Sequence, residues 1–335
     1  MTDMENATRA PESDAQPPPP PPPKDLPQDE GQSTSGSELL DDVPGQAASL
    51  TGEHCITDRP TRALPKLPSG QSATGEITKL DNVDVYVSKP ADYPHAPARL
   101  LLLLTGGTGI RSTNNQIQAD KYASAGYLVL MPDLFAGDTA PTAATITDDS
   151  TTLLEQVKIK AVEVTKSFMI DMWLARITAD KVMPLLHKVI DTAKDEYADA
   201  VKHGDGMYAV GYCVGARFVL LLAKAERQGE QGDGAKKGPH IKAGALAHAA
   251  SVVPDDFKDL EVPLSLICVE NDPLFPDAVR SAGEEVMSTA NLEHEVKVYP
   301  GVPHGFAVVG SYADSAIGEA QAAAYEQMLS WIQEH

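Results

Sequence analysis

Residues Tyr208-Ala-Val-Gly-Tyr-Cys-Val-Gly-Ala-Arg217 decide how this chain is read. An apolar run enters Gly211-Tyr-Cys-Val-Gly215 and continues as FVLLLAKA over residues 218–225. This is a strand, a tight turn and a helix of the form G-x-nucleophile-x-G. The flanking glycines let strand and helix pack closely around a strained turn that lifts the central side chain to the sheet's edge. Position 213 holds cysteine, whose thiol is activated by a neighbouring imidazole and by a helix N-terminus, since both favour thiolate. The alternative is a buried structural cysteine in a glycine-flanked turn.

A nucleophile on such a turn needs a base and a group that orients the base, in the chain order nucleophile, acid, histidine. Asp272 follows the apolar run PLSLICVE, and His304 follows HEVKVYP. His304 would take the thiol proton and Asp272 would hold its tautomer. Glu270 and Asp277 are competing acids, but Glu270 ends the run and Asp277 reads as a helix start after Pro276. His248 also ends a strand and either lines the pocket or packs. An oxyanion needs preorganised N–H donors. The amide of Val214 is one, and the loop Thr105-Gly-Gly-Thr-Gly-Ile110 supplies the other, at Gly107. That loop lacks the lysine and the glycine spacing of a nucleotide cradle.

The same alternation extends outward. Strand-like runs lie at 83–88, 99–105, 127–132, 207–213, 243–249, 263–270 and 294–300. Several are continuously apolar, as in a parallel sheet buried on both faces. Amphipathic stretches over Gln116–Ala125, Leu153–Ile170, Asp180–Tyr197, Ala216–Gln228, Asp277–Thr289 and Ala316–Ile332 predict core-facing helices. The expected fold is α/β, a doubly wound, mostly parallel sheet flanked by helices. Residues 153–197 are either ordinary crossover helices or an insertion over the pocket.

Residues 1–70 are different. They hold seven prolines in a row, Pro17–Pro23, and little to pack. A segment of this kind cannot offset its ordering entropy, so the expected organisation is a disordered tail at 1–70 and one domain at 71–335. Polyproline runs dock on SH3 or WW grooves or act as spacers, the spacer being the commoner role. The formal charge is −21, and the 12 acids and 5 bases of residues 1–70 leave −14 on the rest. Such a field repels phosphate backbones and anionic lipid, which argues against nucleic-acid and membrane partners. Three cysteines are too few and too odd for a disulfide framework. Cys268 reads as core and Cys55 lies in or beside the tail. With no apolar leader and no apolar run of about 18 residues, the expectation is a soluble cytoplasmic protein. No Cys or His pair has zinc-ligand spacing.

The chain resembles the dienelactone hydrolase family of α/β-hydrolases, particularly its fungal branch. The resemblance rests on Gly211-Tyr-Cys-Val-Gly215, Met131-Pro-Asp-Leu-Phe-Ala-Gly-Asp138, Asp272 in its Asn-Asp-Pro setting, and Pro303-His-Gly-Phe306, and it covers roughly residues 70–335. It implies the α/β-hydrolase fold and a Cys213, Asp272, His304 triad. That triad would open small lactones or esters through an acyl-thioester, with neither metal nor organic cofactor. A thioesterase or secondary-metabolism hydrolase on the same triad, or a non-catalytic binding or scaffold protein, are the alternatives. Bacterial members place a glutamate just after the strand that precedes the oxyanion loop, where this chain has Gly106, so either His304 alone activates Cys213 or the activity differs. Arg111 and Arg217 are candidates for binding a substrate carboxylate, though Arg217 lies one turn past Cys213 and is also placed to form a structural pair.

Overall fold

The computed structural model describes residues 58, 73–141, 169–227 and 236–335. Pro17–Pro23, Cys55 and residues 153–168 of the helix expected over Leu153–Ile170 lie outside them. The strands are β1 (Glu76–Leu80), β2 (Val83–Ser88), β3 (Arg99–Leu104), β4 (Tyr127–Pro132), β5 (Met207–Tyr212), β6 (Glu226–Arg227), β7 (Lys236–Lys237), β8 (Ala243–Ala247), β9 (Leu264–Val269) and β10 (His294–Tyr299). The helices are α1 (Thr113–Ser124), α2 (Ala179–Glu196), α3 (Ala198–His203), α4 (Val214–Leu222), α5 (Asp277–Thr289) and α6 (Ser315–Glu334), with residues 169–176 also helical.

Eight strands form one sheet in the order β1-β2-β4-β3-β5-β8-β9-β10. From β4 to β10 every neighbouring pair is parallel, while β2 runs antiparallel to both β1 and β4. The leucine run of β3 shows why the sheet is covered on both sides. Leu100, Leu102 and Leu104 pack with residues of α2, α4 and α5, whereas Leu101 and Leu103 pack with residues of α1 and α6. Side chains alternate across a strand, so a run that is apolar at every position requires a helical layer on each face. The strand β1, Glu76–Leu80, escapes an apolar-run criterion because most of it is exposed.

One expectation changes, and one open alternative narrows. The helix predicted over Ala216–Gln228 stops at Leu222, and Glu226–Arg227 pairs instead with Lys236–Lys237. The apolar face ends at Ala223, whose carbonyl accepts the Glu261 N–H at 3.0 Å, so nothing holds a further turn against the core. The stretch 179–196, part of the segment weighed as an insertion, is an ordinary crossover helix that buries Val182, Leu186, Val189, Ile190 and Ala193.

Parallel strands place their C-terminal ends along one edge, where ligands bind in sheets of this kind. The loops after β3, β5, β8, β9 and β10 therefore share an edge, and they carry Gly107, Cys213, His248, Asp272 and His304. The turn after β5 sets how tightly that edge is built. A Cβ added at Gly215 would sit 2.2 Å from the Leu104 carbonyl oxygen, and one at Gly211 would sit 2.6 Å from Val219 Cγ2 and 2.8 Å from the Ala216 Cα. The atoms at Gly215 are backbone and cannot swing aside. Gly215→Ala should therefore cost about 2–3 kcal/mol of stability by overpacking, read as a lower denaturation midpoint. An unchanged midpoint would show that β3 and α4 are not packed as closely as described.

Candidate active site

Cys213 occupies the residue between β5 and α4 with φ 54° and ψ −123°. This is a region that residues with a side chain rarely adopt. The turn is tied down on both sides. The Cys213 N–H donates to the Ala247 carbonyl, and the Cys213 carbonyl accepts from the N–H groups of Ala216 and Ala250, all at 3.1 Å. Val214 opens the helix, so its N–H has no intrahelical acceptor.

His304 and Asp272 meet from separate loops. The His304 Nδ1 lies 2.7 Å from Asp272 Oδ2, and both side chains are almost completely buried. An ionised carboxylate can only accept, so Nδ1 carries a proton and Nε2 is left for Cys213. The second oxygen of Asp272 accepts the Leu274 N–H at 2.9 Å, which fixes the carboxylate plane. Glu270 is exposed, and Asp277 pairs with Arg280 at 3.0 Å, so of the three acids weighed only Asp272 reaches the imidazole.

Burial alone would depress the basicity of His304. The hydrogen bonds and charges of Asp272 and Cys213 outweigh it and hold the group up at about 10. The nearby His248 is driven well below its ordinary value, first by burial and then by the charge of His304. The two rings lie 5.0 Å apart at 66°, and His248 also packs 5.9 Å from the Tyr212 ring and 6.2 Å from Phe306. His248 is thus a buried ring of suppressed basicity packed beside His304. Burial pushes the Cys268 thiol up to about 12, which fits its place in the core.

The loop after β3 is braced by its neighbours. Gly106 O accepts the Gly109 N–H at 3.1 Å, which turns that carbonyl into the loop. In a trans peptide the N–H of Gly107 then points to the opposite side. The Gly107 carbonyl accepts from Ala140 N–H at 2.9 Å. Residues 133–140 are shaped in turn by Asp133, which accepts from the amides of Phe135 and Gly137, and by Trp173 Nε1, which donates to the Asp138 carbonyl. The Met131–Asp138 motif thus supports the Gly107 loop.

Neither arginine weighed for substrate binding is idle. Arg111 is exposed and sits 3.7 Å from Asp84. Arg217 is held by the buried Asp256, with Nε 2.8 Å from Oδ2 and a terminal nitrogen 3.4 Å from Oδ1. Sequence reasoning passed over two buried or half-buried glutamines. Gln321 donates to the carbonyls of Phe306 and Val308, and Gln118 accepts from Val309 N–H, so both hold the loop that carries His304. The available signal was Gln118 itself, a polar residue four positions before Tyr122 on the core-facing stripe of α1. Among the described residues no cluster of three or more His, Cys, Asp or Glu side chains is arranged to hold a metal, and no helix is long and apolar enough to cross a membrane.

The sequence and the fold both have relatives. A sequence model described as the dienelactone hydrolase family matches residues 83–335. Hydrolase pyvD of Aspergillus violaceofuscus is 27% identical over 261 residues, covering 78% of this chain and 90% of its own. Dienlactone hydrolase 1 of Gibberella moniliformis is 27% identical over 237 residues, covering 70% of this chain and 77% of its own. Among solved structures, a protein assigned as a dienelactone hydrolase from Klebsiella pneumoniae superimposes with a TM-score of 0.57 at 17% identity, over 78% of this chain and 99% of its own. At that identity the likeness establishes the fold alone.

The raised His304 has a consequence for stability. A histidine that binds its proton more tightly folded than unfolded stabilises the protein fully below about pH 6.5, and that contribution fades as the pH climbs towards 10. The gap in unfolding midpoint between the wild type and His304→Gln should therefore narrow steadily over that window. A gap that stays constant with pH would mean His304 is not held protonated.

Proposed function

From the premise that this chain belongs to the dienelactone hydrolase family and is an ester-bond hydrolase, we propose that it opens small lactones or esters with Cys213 as the attacking group. One observation supports this most: the nucleophile-turn cysteine interacts with a buried histidine that is itself anchored to Asp272 at 2.7 Å.

The steps follow from that arrangement. Cys213 attacks as thiolate, with His304 as its imidazolium partner, and a bond forms from Sγ to the carbonyl carbon. The carbonyl oxygen becomes an oxyanion facing the amides of Val214 and Gly107, donors of a kind that each contribute a few kcal/mol. The tetrahedral species collapses by breaking the carbon–oxygen ester bond, and His304 Nε2 gives its proton to the departing alkoxide. In a lactone that alkoxide stays attached as the other end of the opened ring. Water then attacks the acyl-thioester carbonyl, giving a proton to His304, and expulsion of the Cys213 thiolate restores the ion pair. Asp272 keeps the imidazole in the required orientation throughout. No carboxylate at position 106 is needed, because the charges acting on His304 come from Asp272 and Cys213.

Cys213→Ala should abolish turnover of a small aryl ester, and Asp272→Asn should reduce kcat by roughly 10²-fold or more, the scale of general acid–base assistance. Mass analysis after rapid acid quench should find the acyl group on the Cys213 peptide of the wild type. Esterase activity that survives Cys213→Ala would sink the mechanism. Comparing lactones, acyl thioesters and aryl esters on the wild type sorts the substrate class.

A further inference from the structure

The cysteine turn and the histidine loop are about 90 residues apart in sequence, yet one side chain is bonded to both. Gln118, on α1, is 1% exposed. Its Oε1 accepts the N–H of Val309, five residues past His304, at 2.9 Å. Its Nε2 donates to the hydroxyl of Tyr212, the residue before Cys213, at 3.1 Å. The Tyr212 hydroxyl lies 2.9 Å from that of Tyr122, which donates onward to Met328 Sδ at 3.9 Å. Because Tyr212 accepts from Gln118 and Tyr122 donates to the sulfur, the chain runs in one direction and uses each hydroxyl proton once. Burial pushes both phenols upward, so they stay protonated.

The arrangement demands an amide. A carboxylate cannot donate to Tyr212, and an aliphatic side chain would leave the buried Val309 N–H without its acceptor. Tyr212 also leads to His304 by packing, since its ring lies 5.9 Å from His248, which lies 5.0 Å from His304. Gln118 is thus linked to the His304 side by two routes, through Val309 and through Tyr212 and His248, and to the cysteine turn through Tyr212.

We propose that Gln118 is a positioning residue of the hydrolytic reaction, its side-chain amide tying the turn that carries Cys213 to the loop that carries His304. This rests on the reading of Cys213 as the attacking group. The test compares wild type, Gln118→Leu and Cys213→Ala as full chains with a small aryl ester, normalising rates to folded protein and recording kcat, KM, the pH profile of kcat/KM and Tm. Gln118→Leu should lower kcat about 10- to 100-fold with little change in KM, the scale expected for a misplacement near 1 Å, and should shift the pH profile. Gln118→Glu should recover activity at acid pH, where the neutral acid presents one donor and one acceptor as the amide does, and lose it as the group ionises.

A Gln118→Leu enzyme with the wild-type kcat and pH profile overturns the proposal, whatever its Tm. Should that variant fail to fold, Tyr212→Phe is read the same way. It removes the two hydrogen bonds of that hydroxyl, to Gln118 and to Tyr122, so a fall in kcat of about three- to tenfold supports the proposal and an unchanged kcat overturns it. Turnover by Cys213→Ala overturns both this inference and the mechanism beneath it, whereas an inactive Cys213→Ala beside a normal Gln118→Leu overturns the positioning role alone.

Discussion

The close approach of α4 to the end of β3 is the constraint on which the rest of the site depends. Gly215 lets the helix backbone press against the carbonyls of Leu104 and Thr105, and Gly211 lets the strand pass under Val219. With the helix that near, the chain turns from strand to helix at a single residue, Cys213, at φ 54°. A conformation of that kind costs about 1–3 kcal/mol and persists only where its surroundings impose it. Here Phe218, Val219, Leu220 and Leu222 are wholly buried one turn or more into the helix, and they hold it in place. Sequence, packing and chemistry are linked at this point, because the interaction that strains the cysteine backbone also sets its thiol at the edge shared by five loops.

Electrostatics then works on a buried pair. Taking an aspartate and a histidine out of water is costly unless each is fully hydrogen-bonded. Asp272 meets that condition with one oxygen on His304 and the other on the Leu274 amide. His304 is stabilised as a cation by Asp272 and Cys213, while its neighbour His248 is kept neutral, so the stack holds one charge rather than two. The chain carries a formal charge of −21, and both arginines weighed for a substrate carboxylate are engaged by aspartates.

Much of this was legible in the sequence, for identifiable reasons. Short β-branched or leucine-rich runs marked seven of the sheet's strands, and several of them, such as RLLLLLT, are continuously apolar, as strands covered on both faces are. The glycines around Cys213 and the short loops after PLSLICVE and HEVKVYP marked the three residues that the fold gathers at one edge. What stayed hidden has a physical pattern. The strand β1, Glu76–Leu80, is mostly exposed and lacks an apolar signature. The helix end at Leu222 depends on Glu261, a partner 38 residues away, capturing the Ala223 carbonyl. Gln118 reads as one polar residue on a helix, and its meaning emerges only when Val309 and Tyr212 arrive from distant parts of the chain.

The central claim is that Cys213 is activated by His304, and the pH dependence of its alkylation tests this most directly. Wild type and His304→Gln would be treated with limiting iodoacetamide across pH 5–10 and the labelled peptides quantified, with Cys268 as an internal reference for a thiol that burial holds near 12. The account predicts that wild-type Cys213 reacts well below the pH of an ordinary thiol, about 8.5, and that His304→Gln moves its profile up to or beyond that value, while Cys268 stays unlabelled. Coincident profiles for Cys213 in the two proteins would contradict it.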